Sequence, residues 1–303
     1  MELNNFTYYS AYGLKIKSEI KFPELIEIEE CSVDVSISYG KVPKQIDNPI
    51  KVGVAFQAKQ NEFLLEVKDV ATYFVKDGKE IIVERLGGED NEINLFLLGS
   101  AFGAVIYQLK KIPFHGSTVV INDKAVIISG VSGVGKSTTV ANITTKSIPL
   151  LSDDVTVLNE KNGNVIASPG FPQVKLWLDS LEKMDISPDN LKRIRPQLEK
   201  YKFPISNFIE EEKVVDSIFI IQQKNTLGVE LEEIKGSEKF KILTKNTYRK
   251  QYVPALKLEQ EQFKIVALLA SRVKLYIIKR PSATNTVNEV SDLIISTVKA
   301  KKN

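Results

Sequence analysis

Cysteine, histidine, tryptophan and methionine are all scarce in this chain. The single cysteine, Cys31, excludes an internal disulfide and any cysteine-based zinc site. The single histidine, His115, excludes a multi-histidine metal centre. No stretch approaches the roughly 18 apolar residues that a spanning helix needs. The opening MELNNFTYYSAYGLKIKSEIKF alternates polar and apolar residues, with no basic region leading into an apolar run, so no signal peptide is expected. Neither charge dominates. Lys plus Arg number 41 and Asp plus Glu 38, a net +3, which gives no reason to expect nucleic acid or a membrane as partner. The expectation is a cytoplasmic protein.

What is present is an ordinary globular composition, 43% apolar and 26% charged, over 303 residues. That length suggests two domains. Up to about residue 85 the chain reads as short strands. VDVSISYG (33–40), NEFLLEVKD (61–69), ATYFVKDG (71–78) and KEIIVERL (79–86) alternate apolar with polar residues between turn signals. Asp77-Gly78 marks a hairpin. A polar break at 87–91 precedes an apolar helix in INLFLLGSAFGAVIYQLKK, and the expected division is 1–90, β-rich, against 91–303. Beyond it strand and helix signals alternate, which argues an α/β core. STVVI and AVIISG read as a hairpin. Helices are expected from Lys136, over 176–200, over 256–272 and over 285–300, with strands at 216–223 and 273–280.

The sharpest signal is Gly130-Val131-Ser132-Gly133-Val134-Gly135-Lys136-Ser137, a complete G-x-x-x-x-G-K-S phosphate loop. Its glycines let backbone N–H groups turn inward around phosphate oxygens, and a helix N-terminus adds its partial positive charge. Lys136 would reach the β- and γ-phosphates and Ser137 would bind Mg²⁺. Chance matches such a pattern roughly once in a hundred chains of this length. The apolar run before it and the helical STTVANITTK after it supply the context the motif requires. Gly130, Ser132, Gly133, Val134, Gly135, Lys136, Ser137 and Thr138 are therefore the expected nucleotide contacts. No guanine-reading motif is evident, which favours ATP.

Ser152-Asp153-Asp154 follows the apolar IPLL, close behind Lys136 in the sequence. The spacing permits one helix and one short strand, which puts the aspartates at a strand's carboxyl end, where α/β sheets bind ligands. One carboxylate would face Mg²⁺ and the other the attacking hydroxyl, as phosphoryl transfer requires. The sequence leaves open which does which. His115-Gly116 precedes the loop; taken alone, a single histidine reads as structural.

The stretch HGSTVVINDKAVIISGVSGVGKSTTVANITTKSIPLLSDDVTVL (115–158) resembles the core of the HPr kinase/phosphorylase family. That family carries a His-Gly before the hairpin, a G-x-S-G-x-G-K-S loop and an apolar strand ending in an Asp pair. The resemblance implies a phosphate-loop kinase core related to phosphoenolpyruvate carboxykinase. It implies that Lys136 and the loop amides hold the phosphates, that Ser137 and Asp153 hold Mg²⁺, that Asp154 or Asp153 takes the proton of a substrate serine, and that His115 lines the same site. The phosphorolysis signature of the bifunctional enzymes has no counterpart here, so reverse phosphorolysis is not expected. Four further stretches resemble the HPr-kinase-like serine kinases of lasso peptide gene clusters: AYGLKIKSEIKFPEL, LFLLGSAFGAVIYQLKKIPFHGS, SPGFPQVKLWLDSLEKM and NTYR. In that family the target is the C-terminal residue of a precursor peptide.

Lys175, just after the Asp pair, could neutralise substrate charge. Arg249 and Arg280 are candidate clamps, since a guanidinium forks onto oxygens. Trp177 reads as a core residue. The expected activity is thus Mg-ATP-dependent phosphorylation of a serine in a peptide or small protein. The alternatives are an HPr-type protein serine kinase and a nucleotide-binding module without transfer chemistry. A homo-oligomer is compatible with the sequence but has no signal of its own.

Overall fold

The structure, a computed structural model, describes residues 6–195, 198–282 and 284–300. The chain is mixed α/β and divides into two compact units, Met1–Pro113 with Tyr248–Phe263, and Phe114–Thr247 with Lys264–Asn303.

The first unit is built on a nine-stranded sheet. Its strands are β1 (Thr7–Ala11), β2 (Leu14–Ser18), β3 (Ile26–Ile28), β4 (Val35–Tyr39), β5 (Lys51–Val52), β6 (Phe56–Lys59), β7 (Glu62–Val67), β8 (Ala71–Lys76) and β9 (Glu80–Arg85), in the order β3-β1-β2-β4-β9-β8-β7-β6-β5. Alternation puts Tyr73 and Val75 of β8, and Ile81 and Val83 of β9, wholly inside. The β8–β9 turn holds Asp77 and Gly78 at φ 55° and 65°, the left-handed pair that matches strand twist. Helix α1 (Asp90–Phe96), a π-helical turn (Leu97–Ala101) and α2 (Phe102–Gln108) pack on β7 and β8. That packing buries Ile93, Leu97, Phe102 and Val105 and keeps this segment with the first unit, so the boundary expected near 87–94 falls inside it. The turn α6 (Tyr252–Ala255) belongs here too; Tyr252 sits 4.6 Å, ring to ring, from Phe63.

The second unit carries an eight-stranded sheet and a three-stranded one. The larger holds β10 (Ile112–Ile121), β11 (Lys124–Gly130), β12 (Leu150–Ser152), β13 (Val155–Lys161), β14 (Asn164–Ser168), β18 (Lys213–Gln223), β19 (Glu230–Ile234) and β20 (Lys274–Arg280). β11, β18 and β20 run parallel, with Gly130 beside Ile221 and Gln223 beside Arg280. Their carboxyl ends therefore finish at one rim, the place where open α/β sheets bind ligands. The all-apolar AVII of β11 is buried, as a strand covered on both faces must be. Helix α3 (Lys136–Thr145) packs against α8 (Val287–Lys299) through Val140, Ile143, Val290 and Ile294. Truncating any one of these to alanine would cost about 1–4 kcal/mol. Helices α5 (Gly236–Lys245) and α7 (Glu259–Arg272) complete the elements of this part of the chain.

The region 176–200 is not one helix. It forms the end of β15 (Gln173–Trp177), a short α4 (Leu178–Glu182), β16 (Lys192–Arg193) and the start of β17 (Lys200–Pro204), paired in the order β15-β17-β16. Pro188 disfavours helix at the residue before it. The strands bury Val174, Leu176 and Tyr201 on alternate positions, a period of two rather than 3.6. Among the described residues, no helix is long and apolar enough to cross a membrane.

Candidate functional site

The loop after β11 closes on the N-terminus of α3. Gly130 ends the strand at φ +145°, where an added Cβ would lie 2.5 Å from the Ile221 carbonyl oxygen of the neighbouring strand. Gly133 stands at φ +81° with nothing within 4 Å of such a Cβ. The two glycines predict different costs. Gly130→Ala should destabilise the protein by about 2–4 kcal/mol, through strain and collision with backbone. Gly133→Ala should cost only about 1–2 kcal/mol, the strain alone. Chemical denaturation of both variants checks the difference.

The loop lines a cavity of about 570 Å³ in the second unit, within the size range of small-molecule sites. Ser132, Gly133, Gly135, Lys136, Ser137 and Thr138 contribute to its wall. Val134 does not: its side chain is in the core. Its carbonyl accepts a hydrogen bond from Arg280 Nε at 3.3 Å. Thr138 Oγ1 donates to Ser180 Oγ at 2.8 Å, tying α3 to α4. Lys136 Nζ donates to the Gly130 and Val131 carbonyls at 2.8 and 3.0 Å. Burial lowers its pKa, against the raising pull of Asp154 and Asp153. Four cationic side chains (Lys136, Lys183, Lys200, Arg280) and two carboxylates (Asp154, Asp179) line the wall, a balance that suits a polyanion.

The aspartate pair is divided. β12 ends at Ser152, and Asp154 takes a left-handed φ of +65°. Asp153 is buried. Its Oδ1 accepts from the Ser117 hydroxyl at 2.6 Å and its Oδ2 from the Lys175 amide at 2.9 Å. It is not among the residues lining the cavity, whereas Asp154 is. Burial, and then the charge of Asp154, push the Asp153 carboxyl up, against the Ser117 and Lys175 hydrogen bonds. For Asp154 burial also pushes up, but Lys175, His115 where it is protonated, Lys200 and Lys136 outweigh it and hold the carboxyl below its usual range. Two adjacent carboxyls driven in opposite directions suit different roles.

His115 Nδ1 lies 3.1 Å from the Asp154 backbone oxygen and 3.7 Å from its carboxylate. A carbonyl only accepts, so Nδ1 carries the proton and Nε2 is the acceptor nitrogen. Burial, then the nearby Lys136 charge, lower its pKa below 6.5, so the ring is neutral at pH 7. Asn246 fixes this residue, since its carbonyl accepts the His115 N–H at 2.8 Å.

Lys175 Nζ stands 3.8 Å from Asp154 Oδ2. If Asp154 acts as a base it must be ionised, so kcat/KM should fall on the acid side only below the ordinary carboxylate pKa of about 4. Lys175→Met removes one of the cations that depress it, and the acid limb should move to higher pH. A pH–rate profile of the variant checks the sign.

Arg280, at the end of β20, reaches the site: besides Val134 it binds Thr286 Oγ1 at 3.1 Å. Arg249 belongs to the first unit, where its Nη2 donates to Ser100 Oγ at 2.8 Å. Trp177, expected in the core, is 39% exposed and lines the cavity, with Lys200 Nζ 5.4 Å from its ring centroid. Lys200, Lys183 and Asp179 were not expected at the site. The signal that would have found Trp177 and Lys200 is the period-two alternation in QVKLW and KYKFP.

Among the described residues, no group of three or more His, Cys, Asp or Glu is placed to hold a metal. Mg²⁺ asks less of a protein: one or two oxygen ligands, with phosphates and water filling the rest. The Ser137 hydroxyl, on the cavity wall, fits that demand.

No family model matches the sequence, and no curated protein matches it. Among solved structures, the HPr(Ser) kinase/phosphatase from Coxiella burnetii aligns over 63% of this chain and 95% of its own, at 13% identity and a TM-score of 0.34. So distant a likeness carries no argument about chemistry, which rests on the residues above.

Proposed function

We propose that this chain is an ATP-dependent kinase that transfers the γ-phosphoryl group of Mg-ATP to a serine hydroxyl of a peptide. One observation carries the reading: the phosphate loop and Asp154 line the same cavity. The amides of the first turn of α3, which lack helical partners, donate hydrogen bonds to the triphosphate oxygens. Lys136 swings from the loop carbonyls onto the β- and γ-phosphates, and Arg280 adds charge beside the loop. Ser137 Oγ would hold Mg²⁺, which would supply positive charge to the leaving phosphate. Asp154 orients the acceptor hydroxyl and takes its proton. The serine oxygen then forms a bond to the γ-phosphorus as the bond to the β-bridging oxygen breaks, leaving ADP. His115, neutral, hydrogen-bonds at the Asp154 backbone and holds that residue in place. Asp153 supports the turn from behind.

The finer reading is that the acceptor is the C-terminal serine of a ribosomally made precursor of the lasso type. Its support is the sequence resemblance, in particular SPGFPQVKLWLDSLEKM and NTYR. Incubation with Mg-ATP and peptides ending in serine should add phosphate to the serine, read by mass spectrometry. An ATP pool left intact after long incubation with such peptides contradicts the reading and favours a nucleotide-binding module.

A further inference from the structure

The three-stranded sheet β15-β17-β16 has two unlike faces. One buries Val174, Leu176 and Tyr201 in the core of the second unit. On the other, register sets Lys175 opposite Lys202, Lys202 opposite Lys192, and Trp177 opposite Lys200. Directly paired residues share a face. Four lysines and the only tryptophan of the chain thus stand together, and none of the three strands contains an acidic residue. Like charges placed directly opposite one another destabilise a sheet. A row of one sign attracts a partner of the other.

The face is continuous with the site. Lys175 reaches Asp154 at 3.8 Å, and Trp177 and Lys200 line the cavity, but Lys202 and Lys192 lie outside its wall. A nucleotide filling the cavity does not extend to those two lysines. A longer ligand that starts at Asp154 and runs outward meets them in turn. Resting on the kinase reading above, we propose that this outward face docks the acceptor, and that acidic residues precede the acceptor serine. Single-stranded nucleic acid is the poorer fit, because it needs successive aromatic platforms for its bases and this face has one.

Trp177 is the chain's only tryptophan, so tryptophan fluorescence reports on this face. The probes are two synthetic peptides that end in their one serine, preceded by aspartates in the first and by asparagines in the second. Without nucleotide, the aspartate peptide should change the fluorescence saturably and bind about tenfold tighter than its twin, an advantage that shrinks with salt. An exposed ion pair contributes no more than a factor of about five, so two lysines suffice for that difference. The double variant Lys192→Glu/Lys202→Glu should lose the preference and raise KM for the aspartate peptide about tenfold, with kcat and ATP affinity unchanged. Lys192→Gln/Lys202→Gln, a milder change, should move the same way by less.

Equal binding of the two peptides overturns the proposal. So does a loss of ATP affinity in the variants, which would give the face to the nucleotide, or a single-stranded oligonucleotide that displaces the aspartate peptide. Tight binding of the aspartate peptide without phosphoryl transfer would defeat the kinase reading and leave the docking face. Equal transfer to both peptides would do the reverse.

Discussion

Replacing Lys136 with alanine is expected to weaken Mg-ATP binding about 10- to 100-fold and to lower kcat/KM by at least a further 10²-fold. Nζ now donates to two loop carbonyls, Gly130 and Val131, and is the buried cation of the loop. A charge-assisted hydrogen bond to phosphate contributes about 1.5–3 kcal/mol to binding, which sets the first factor. The second comes from charge that develops on the γ-phosphoryl group only as the bonds exchange; removing one preorganised donor of that kind costs about 10²–10³ in rate. The fold should survive, because burial disfavours the charged amine in the first place. Calorimetric titration with Mg-ATP gives the binding factor, and a thermal melt shows that the variant is folded. An unchanged ATP affinity would place the nucleotide away from this loop.

Asp154→Asn separates binding from chemistry. Activity should drop by about 10²–10⁴, the range for a positioned general base. ATP affinity should stay within a few-fold of the wild type, since the substitution removes a negative charge near the triphosphate and no phosphate donor. Asp153→Asn should behave differently. Asp153 is buried against Ser117 and the Lys175 amide, and its environment already favours the uncharged form. The loss there should be smaller than at Asp154. Single-turnover transfer of labelled phosphate compares the two. Wild-type rates in both variants would remove the aspartates from the mechanism.

How far the site could be read from sequence depended on the kind of signal. The phosphate loop was legible because a local pattern dictates a local shape, the strand–turn–helix between β11 and α3. The strands of the first unit were legible through alternation. The separate fates of Asp153 and Asp154 were not. They follow from a left-handed residue at 154 and from Ser117, a partner 36 positions away on β10. Trp177 was misplaced because 176–200 reads as a helix when its apolar residues are counted without their period. Once β15 and β17 pair, QVKLW turns Trp177 outward with Lys175, and Lys200 falls beside it. Arg280 was legible as a strand-end residue, since an apolar strand leads into it and Pro281 follows.

The most direct test is a crystal structure of the full chain with Mg²⁺ and a non-hydrolysable ATP analogue. The account predicts the triphosphate on the amides between Ser132 and Thr138. It predicts Lys136 turned from the loop carbonyls onto the terminal phosphate, and the Asp154 carboxylate facing that phosphate across the space an acceptor hydroxyl would occupy. A nucleotide bound elsewhere, or a terminal phosphate pointing away from Asp154, would contradict it.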